Sequence, residues 1–206
     1  MRNYSLSDAP GQEWYRISVK REEGISAETP KGYVSNLLHN SIEVGAEIDI
    51  APPCGEFFFD SIEHDSSKPL VLLAGGVGIT PIMSILKCAL DKQPERRIVF
   101  VHACLNEDVQ PFRSTLDALA ETHQNLTVLY RYSESEAGTQ RTGNASSGFV
   151  DAAFLDTHLP DQEARSYFCG PQPFMVNIYS LLKKRGIPEE HLKFEFFGPR
   201  EALETA

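Results

Sequence analysis

Four consecutive apolar residues, Leu70-Val71-Leu72-Leu73, run almost directly into Gly75-Gly76-Val77-Gly78 and then into a helical stripe of Ile82, Ile85, Leu86, Ala89 and Leu90. An unbroken apolar run is the pattern of a parallel strand covered on both faces, and a parallel strand needs a crossover helix to reach its neighbour. Thr80 is the expected N-cap of that helix and Pro81 its first residue. Arg97 to Ala103 supplies a second apolar strand, which completes a βαβ unit. The alternation then repeats. Phe112, Leu116, Leu119 and Ala120 mark a helix, Leu126 to Tyr132 a strand, and Ser133 to Gly148 a polar loop. Ser166 to Cys169 is a short strand ending in Gly170-Pro171. Phe174, Ile178, Leu181 and Leu182 stripe a helix closed by Gly186, and Lys193 to Phe197 is a last strand. Residues 69–206 are therefore expected to form a doubly wound α/β domain with a parallel sheet.

The chain before this point has another texture. Trp14 to Lys20 alternates apolar and polar residues in its second half, and Ile42, Val44, Ala46, Ile48 and Ile50 recur at period two around a turn or bulge at Gly45. Val34 to His39 reads as a turn or two of helix between them. The expectation for residues 1–60 is part of a small antiparallel β-barrel, joined through a polar linker at 61–68.

Composition narrows the partners. With 29 acidic against 19 basic residues the net charge is -10, which repels a phosphate backbone and argues against nucleic acid. The longest apolar run, Leu70 to Ala74, is far too short for a membrane span, and no basic and apolar leader opens the chain. Cys54, Cys88, Cys104 and Cys169 form no CxxC pair, so neither a zinc site nor an iron–sulfur cluster is expected, and a reducing cytoplasm is the natural compartment. The two glycosylation-type triplets at Asn125 and Asn144 are read as chance matches.

The glycine turn is the most mechanistic segment. Glycines between strand and helix let the backbone approach a pyrophosphate, while the helix N-terminus offers N–H groups and a positive dipole. A tight turn also needs glycine for its own sake, and Pro81 stands where the dinucleotide fingerprint has a third glycine. Arg2-Asn3-Tyr4-Ser5 combines a phosphate fork, a ring that stacks on flat heterocycles, and a hydroxyl, on what reads as one strand. Gly32-Tyr33-Val34-Ser35 opens the short helix and offers a second set of N–H groups. Cys169 ends a strand where ligands of such sheets lie. Phe194-Glu195-Phe196-Phe197-Gly198-Pro199 places one acid among aromatics. Each of these, taken alone, also has an ordinary structural reading as strand, helix start or core.

Taken in order, Arg2-x-Tyr4-Ser5, Gly32-x-x-Ser35, Gly76-x-Gly78-x-x-Pro81 and Cys169-Gly170-Pro171 resemble the ferredoxin–NADP reductase superfamily. Val34-Ser35-Asn36-x-Leu38-His39-Asn40, His102-Ala103 and Glu195-x-Phe197-Gly198-Pro199 resemble, more narrowly, the reductase half of flavohaemoglobins. The resemblance implies that Arg2, Asn3, Tyr4 and Ser5 bind FAD, with Tyr4 on the isoalloxazine and Ser5 near its reactive nitrogen. It implies that Gly32, Val34 and Ser35 hold the FAD pyrophosphate, and that Gly76, Val77, Gly78, Ile79, Thr80 and Pro81 receive NAD(P)H. Cys169 and Glu195 would flank the hydride-transfer site, with Phe196, Phe197, Gly198 and Pro199 beside the flavin.

In that family the Arg-x-Tyr-Ser strand is roughly the fourth of the barrel, so the expectation is that the globin and the first barrel strands are absent here. Haem would then belong only to a missing or separate globin domain, which would take electrons from the flavin. The implied function is an NAD(P)H:FAD oxidoreductase module of a nitric oxide dioxygenase. Two rivals stand beside it: a flavin reductase serving another oxygenase, and a non-catalytic nucleotide-binding remnant. Glu107 and Asp108 after the second strand of the α/β domain lean toward NADH, while Arg131 is a possible partner for the 2′-phosphate of NADPH.

Overall fold

The computed structural model describes residues 2–24, 30–60, 65–134, 143–160 and 163–197. Among them, β1 (Leu70–Gly75), β2 (Ile98–Cys104), β3 (Leu126–Tyr132), β4 (Ala145–Ser147), β5 (Arg165–Gly170) and β6 (Leu192–Phe196) form one sheet. The strand order is β4-β3-β2-β1-β5-β6 and every pairing is parallel. The helices are α1 (Tyr33–Asn40), α2 (Ile79–Lys92), α3 (Arg113–Thr122), α4 (Ala152–His158) and α5 (Gln172–Lys184). None of the described helices is long and apolar enough to cross a membrane.

The apolar run at 70–73 does what such a run must. All six residues of β1 are buried. Leu70, Leu72 and Ala74 face one core with Ile79, Ile82, Met83 and Leu86 of α2 and Leu116 of α3. Val71 and Leu73 face the other, with Phe154 and Leu155 of α4 and Met175, Ile178 and Leu182 of α5. Both faces are covered, so the sheet is doubly wound as the strand-and-helix alternation requires. Each fully buried leucine or valine contributes about 1.5–3 kcal/mol relative to exposure. The domain is thereby anchored along its central strand. Gly186 closes α5 with φ +78° and its N–H on the Lys183 carbonyl at 2.9 Å.

Four local expectations are corrected. Thr80 is not the N-cap of α2. The chain leaves β1 through a 3-10 turn at Gly76–Gly78, Gly78 is the cap residue in helical conformation, and the Thr80 hydroxyl donates back to the Val77 carbonyl at 3.2 Å. The polar stretch 133–148 is not all loop, because Ala145–Ser147 adds β4 beside β3. Residues 2–5 carry no strand pairing; the nearest is an antiparallel bridge between Leu6 and Ile17, joined by Ser7 N–H to the Arg16 carbonyl at 2.8 Å. Ile42 to Ile50 is likewise not a strand in the structure, and Val44, Ile48 and Ile50 are exposed. Period-two patterning gives a chain an apolar face, but a strand also needs a neighbour to pair with it and an apolar surface to cover it. No described residue supplies either to 42–50.

The N-terminal segment is nevertheless tied to the sheet domain. Asp8 bonds Lys87 of α2 at 2.7 Å and Arg16 at 3.1 Å, and its carbonyl accepts from Ser84 at 2.7 Å. Burial opposes ionisation of Asp8, but Lys87, the Ala9 N–H and Arg16 together outweigh it and hold the carboxyl below its ordinary pKa. Phe57 and Phe59 pack on Tyr167. Arg96, 2% exposed, lies over the Phe59 ring and donates to the Lys68 carbonyl at 2.7 Å and to Gln93 at 2.8 Å. Burial lowers its pKa to about 10, which leaves it charged.

Candidate functional site

The strand order reverses at β1. From there α2 and α3 carry the chain outward to β2 and β3, whereas β5 and β6 lie on the other side. The crevice beyond the C-terminal ends of β1 and β5 is therefore the topological switch point, where open α/β sheets bind ligands. Gly75 and Gly76 leave β1 at this point, and Cys169-Gly170 ends β5 beside it.

The glycines here have different reasons. A Cβ on Gly78 would sit 2.2 Å from the Cys169 carbonyl oxygen, and one on Gly75 or Gly170 would meet the Phe174 ring at 2.8 or 2.6 Å. These three let the start of α2, the end of β5 and Phe174 close on one another. Gly78 is thus a packing residue, and a bulky substitution there reports on folding before it reports on a ligand. Gly76 is the opposite case. Its φ is +50° and a Cβ would meet nothing within 4 Å, so it is the turn residue open to an incoming group. The N-terminus of the long helix α2, with its positive dipole end, lies next to it.

Cys169 and Glu195 are register neighbours across β5 and β6. Cys169 is fully buried; burial, then the nearby Glu195 charge, pushes its thiol well above the usual range, so it stays protonated at neutral pH. Burial also holds the half-buried Glu195 carboxyl above its ordinary pKa, with the Ser5 hydroxyl pulling the other way. Ser5 donates to Glu195 Oε2 at 3.4 Å, which brings the two ends of the chain together at the rim of the crevice. Phe196 packs edge-on against Phe194, and Phe197 is 46% exposed. Gly198 and Pro199 lie outside the described residues. Arg2 and Asn3 are exposed, and Tyr4 is half-buried.

A raised carboxyl pKa has a testable consequence. The folded state binds this proton more tightly than the unfolded chain, so stability falls as pH rises from the ordinary value of 4.5 through the raised one. Glu195→Gln should therefore melt above the parent at neutral pH, and the gap should close on acidification to about pH 4. Thermal melts of both proteins across this range check it; a gap that does not change with pH would contradict the assignment.

At α1, Ser35 is buried and its hydroxyl is turned inward, accepting from Glu22 N–H at 3.2 Å and donating to the Gly32 carbonyl at 3.1 Å. Gly32 is needed by this loop, since a Cβ would lie 2.7 Å from Ser35 Oγ. What faces outward is the first helical turn and an open depression of about 380 Å³ lined by Lys31, Tyr33, Asn36 and Asn40 among others.

Beyond β2 and β3, Arg131 is already engaged by Ser146 at 3.1 Å, the Phe149 carbonyl at 2.9 Å and Asp151 at 3.4 Å. Arg131 thereby ties β3 to β4 and to the Asp151 cap of α4. His102, Gln110, Tyr132 and Arg113 form a connected set behind the glycine turn. Periodicity gave no sign of it, because its members come from β2, β3 and the loop and helix between them.

A doubly wound parallel sheet with an open glycine turn at its switch point is the architecture of a nucleotide-binding domain. The family model for the oxidoreductase NAD-binding domain matches residues 72–180. A flavohemoprotein of Bacillus thuringiensis subsp. konkukian is 40% identical over 204 residues, 98% of this chain and 50% of that protein. The flavohem-like FAD/NAD-binding domain of nitric oxide dioxygenase from Vibrio cholerae superposes with a TM-score of 0.80 at 33% identity, covering 96% of this chain and 77% of that one. The flavohemoglobin of Malassezia yamatoensis, solved with FAD and heme, gives 0.75 at 27% identity over 96% of this chain and 47% of that one. The chain belongs to the oxidoreductase NAD-binding domain family and, within it, to the flavohaemoprotein FAD/NAD-binding group. It spans about half the length of the curated relatives it matches.

Proposed function

We propose that the chain is an NAD(P)H:FAD oxidoreductase module of the nitric oxide dioxygenase type, with a haem globin domain as electron acceptor and the cytoplasm as its compartment. The observation that carries this reading is the Gly76 turn, open to solvent at the switch point while its neighbours Gly75, Gly78 and Gly170 are closed by packing. The dinucleotide pyrophosphate is read onto Gly76, Val77, Gly78, Ile79, Thr80 and Pro81, where the open backbone of the turn and the dipole of α2 face an anion. The residues present fit that group: a side chain is missing where the phosphates would approach, and a 14-residue helix begins there.

When bound, the nicotinamide supplies a hydride and the flavin accepts it. The protein's part is orientation and electrostatics. Arg2, Asn3, Tyr4 and Ser5, with Gly32, Val34 and Ser35 at α1, are assigned to FAD. Ser5 and Glu195 hold a proton at the rim, and Cys169, protonated and buried, forms the wall rather than a nucleophile. Phe196, Phe197, Gly198 and Pro199 are assigned to the flavin's side. Residues 1–60 are read as the FAD part, on a barrel-type scaffold, 61–68 as the connection and 69–206 as the nucleotide domain. The Arg96–Phe59 contact supports placing the joint near 60.

NADH is the proposed donor. Arg113 is paired with Glu107 at 3.2 Å and Asp117 at 3.6 Å, and Arg131 is occupied as described. A 2′-phosphate arriving beside Glu107 meets an acid and arginines already committed to carboxylates. A second reading, a nucleotide-binding protein that does not turn over flavin, is favoured by one observation: the exposed, unpaired stretch 42–50 beside α1.

Anaerobic mixing of the 206-residue chain with FAD and NADH separates the two readings. The oxidoreductase reading expects flavin absorbance to bleach well above the rate for free FAD, and faster with NADH than with NADPH. Bleaching at the free-FAD rate, with NADH still bound by the protein, would favour the second.

A further inference from the structure

We propose that His102 is a positioning residue of the glycine turn, held in its Nε2–H tautomer by a one-way hydrogen-bond chain that begins at Arg113. The proposal rests on reading the turn as the dinucleotide site and names what holds that site in shape.

The direction of the chain follows from what each group can do. Arginine only donates, and Arg113 Nη1 donates to the Tyr132 phenol oxygen at 3.0 Å. That leaves the Tyr132 hydroxyl proton for the Gln110 carbonyl oxygen, the bond the structure shows. With its carbonyl so used, the Gln110 amide presents its Nε2–H to His102 Nδ1 at 3.3 Å. Nδ1 is then an acceptor and carries no proton. The ring proton sits on Nε2, 3.2 Å from the Gly76 carbonyl oxygen and 3.2 Å from the Cys104 sulfur.

His102 is fully buried, and burial, against the pull of the Gly76 carbonyl, brings its pKa down to about 4, so the ring is neutral. Burial pushes the Cys104 thiol up to about 12, so it stays uncharged beside the ring. Gln110 is brought there by a backbone that pays a local cost: Phe112, two residues on, has φ 61°, a left-handed conformation disfavoured for a bulky residue.

The consequence lies at Gly76. Its carbonyl accepts the Ile79 N–H within the 3-10 turn and meets His102 Nε2 as a second partner, so the ring ties the turn to β2. The His102 N–H anchors that carbonyl to the sheet and so fixes the backbone of the turn that a phosphate would approach. A ring carrying its proton on Nδ1 would set a lone pair against the carbonyl and loosen the tie between the turn and β2.

Gln110→Glu is nearly isosteric and, as a carboxylate, accepts from both sides, which draws the proton to Nδ1. Tyr132→Phe keeps the ring and lets the Gln110 amide turn over, with the same effect. The histidine ring nitrogens of the full chain are read by NMR, and NAD+ affinity and melting temperature are measured on the same samples. The wild type should show Nε2–H. Each variant should show a shift toward Nδ1–H and bind NAD+ about tenfold more weakly while still melting cooperatively. A wild-type Nδ1–H tautomer, or unchanged NAD+ affinity in a variant whose tautomer has switched, would overturn the proposal. A wild type that binds no NAD+ would remove the reading of the turn itself, and this inference with it, whatever the tautomer.

Discussion

Gly78→Val is expected to cost the sheet domain most or all of its stability. The new Cβ would lie 2.2 Å from the Cys169 carbonyl oxygen, 2.4 Å from its carbon and 2.6 Å from Gly170 N, all of them backbone atoms of a strand paired on both sides. A flexible side chain could rotate away, but a central strand cannot. Overpacking a core costs about 1–3 kcal/mol when side chains absorb it and more when the backbone must. Against a total of about 5–15 kcal/mol for a domain, the valine variant should melt far below the parent or fail to fold. Loss of NADH binding in that variant would then say nothing about ligand contact. A valine variant that melts within a few degrees of the parent would contradict the packing described around β5.

Gly76→Ala is the informative partner. With φ +50° an alanine is strained by about 1 kcal/mol, but its methyl projects into open space, so folding should survive. If the pyrophosphate lies on the turn, that methyl occupies its approach, and NADH affinity should fall about tenfold or more. Calorimetric titration with NADH, beside a melting curve, separates the two effects. Parent-like affinity in the folded alanine variant would move the dinucleotide off Gly76.

These two glycines show how far sequence reasoning reached. That the segment 75–78 had to be glycine-rich was legible, because a buried strand runs directly into a helix there. Which glycine met a neighbouring backbone and which met solvent was not, since β5 approaches from about ninety residues away in sequence. The sheet was readable because β1 and β2 are buried on both faces and so carry apolar runs, and because β3 and β5 follow them at the spacing of helix and strand. The three-residue strand Ala145–Ser147 sits beside β3 at the sheet's end in a polar stretch and left no such trace. Thr80 had the composition of a cap but not the position, because the 3-10 turn delivers the chain to α2 already helical. In 42–50 the alternation described a face and could not say whether a partner was present. The Arg113-to-His102 chain was invisible for a related reason: hydrogen bonds between distant segments leave no period in the sequence.

The central claim is that a nicotinamide dinucleotide binds across the C-terminal ends of β1 and β5. Backbone amide NMR of the chain titrated with NAD+ tests it most directly. The account predicts saturable shifts at Gly75 to Thr80, at Cys104 to Glu107 and around Cys169 and Gly170, with the N-terminal ends of the strands silent. Shifts absent from 75–80, or confined to the opposite end of the sheet near Arg96 and Lys68, would contradict it.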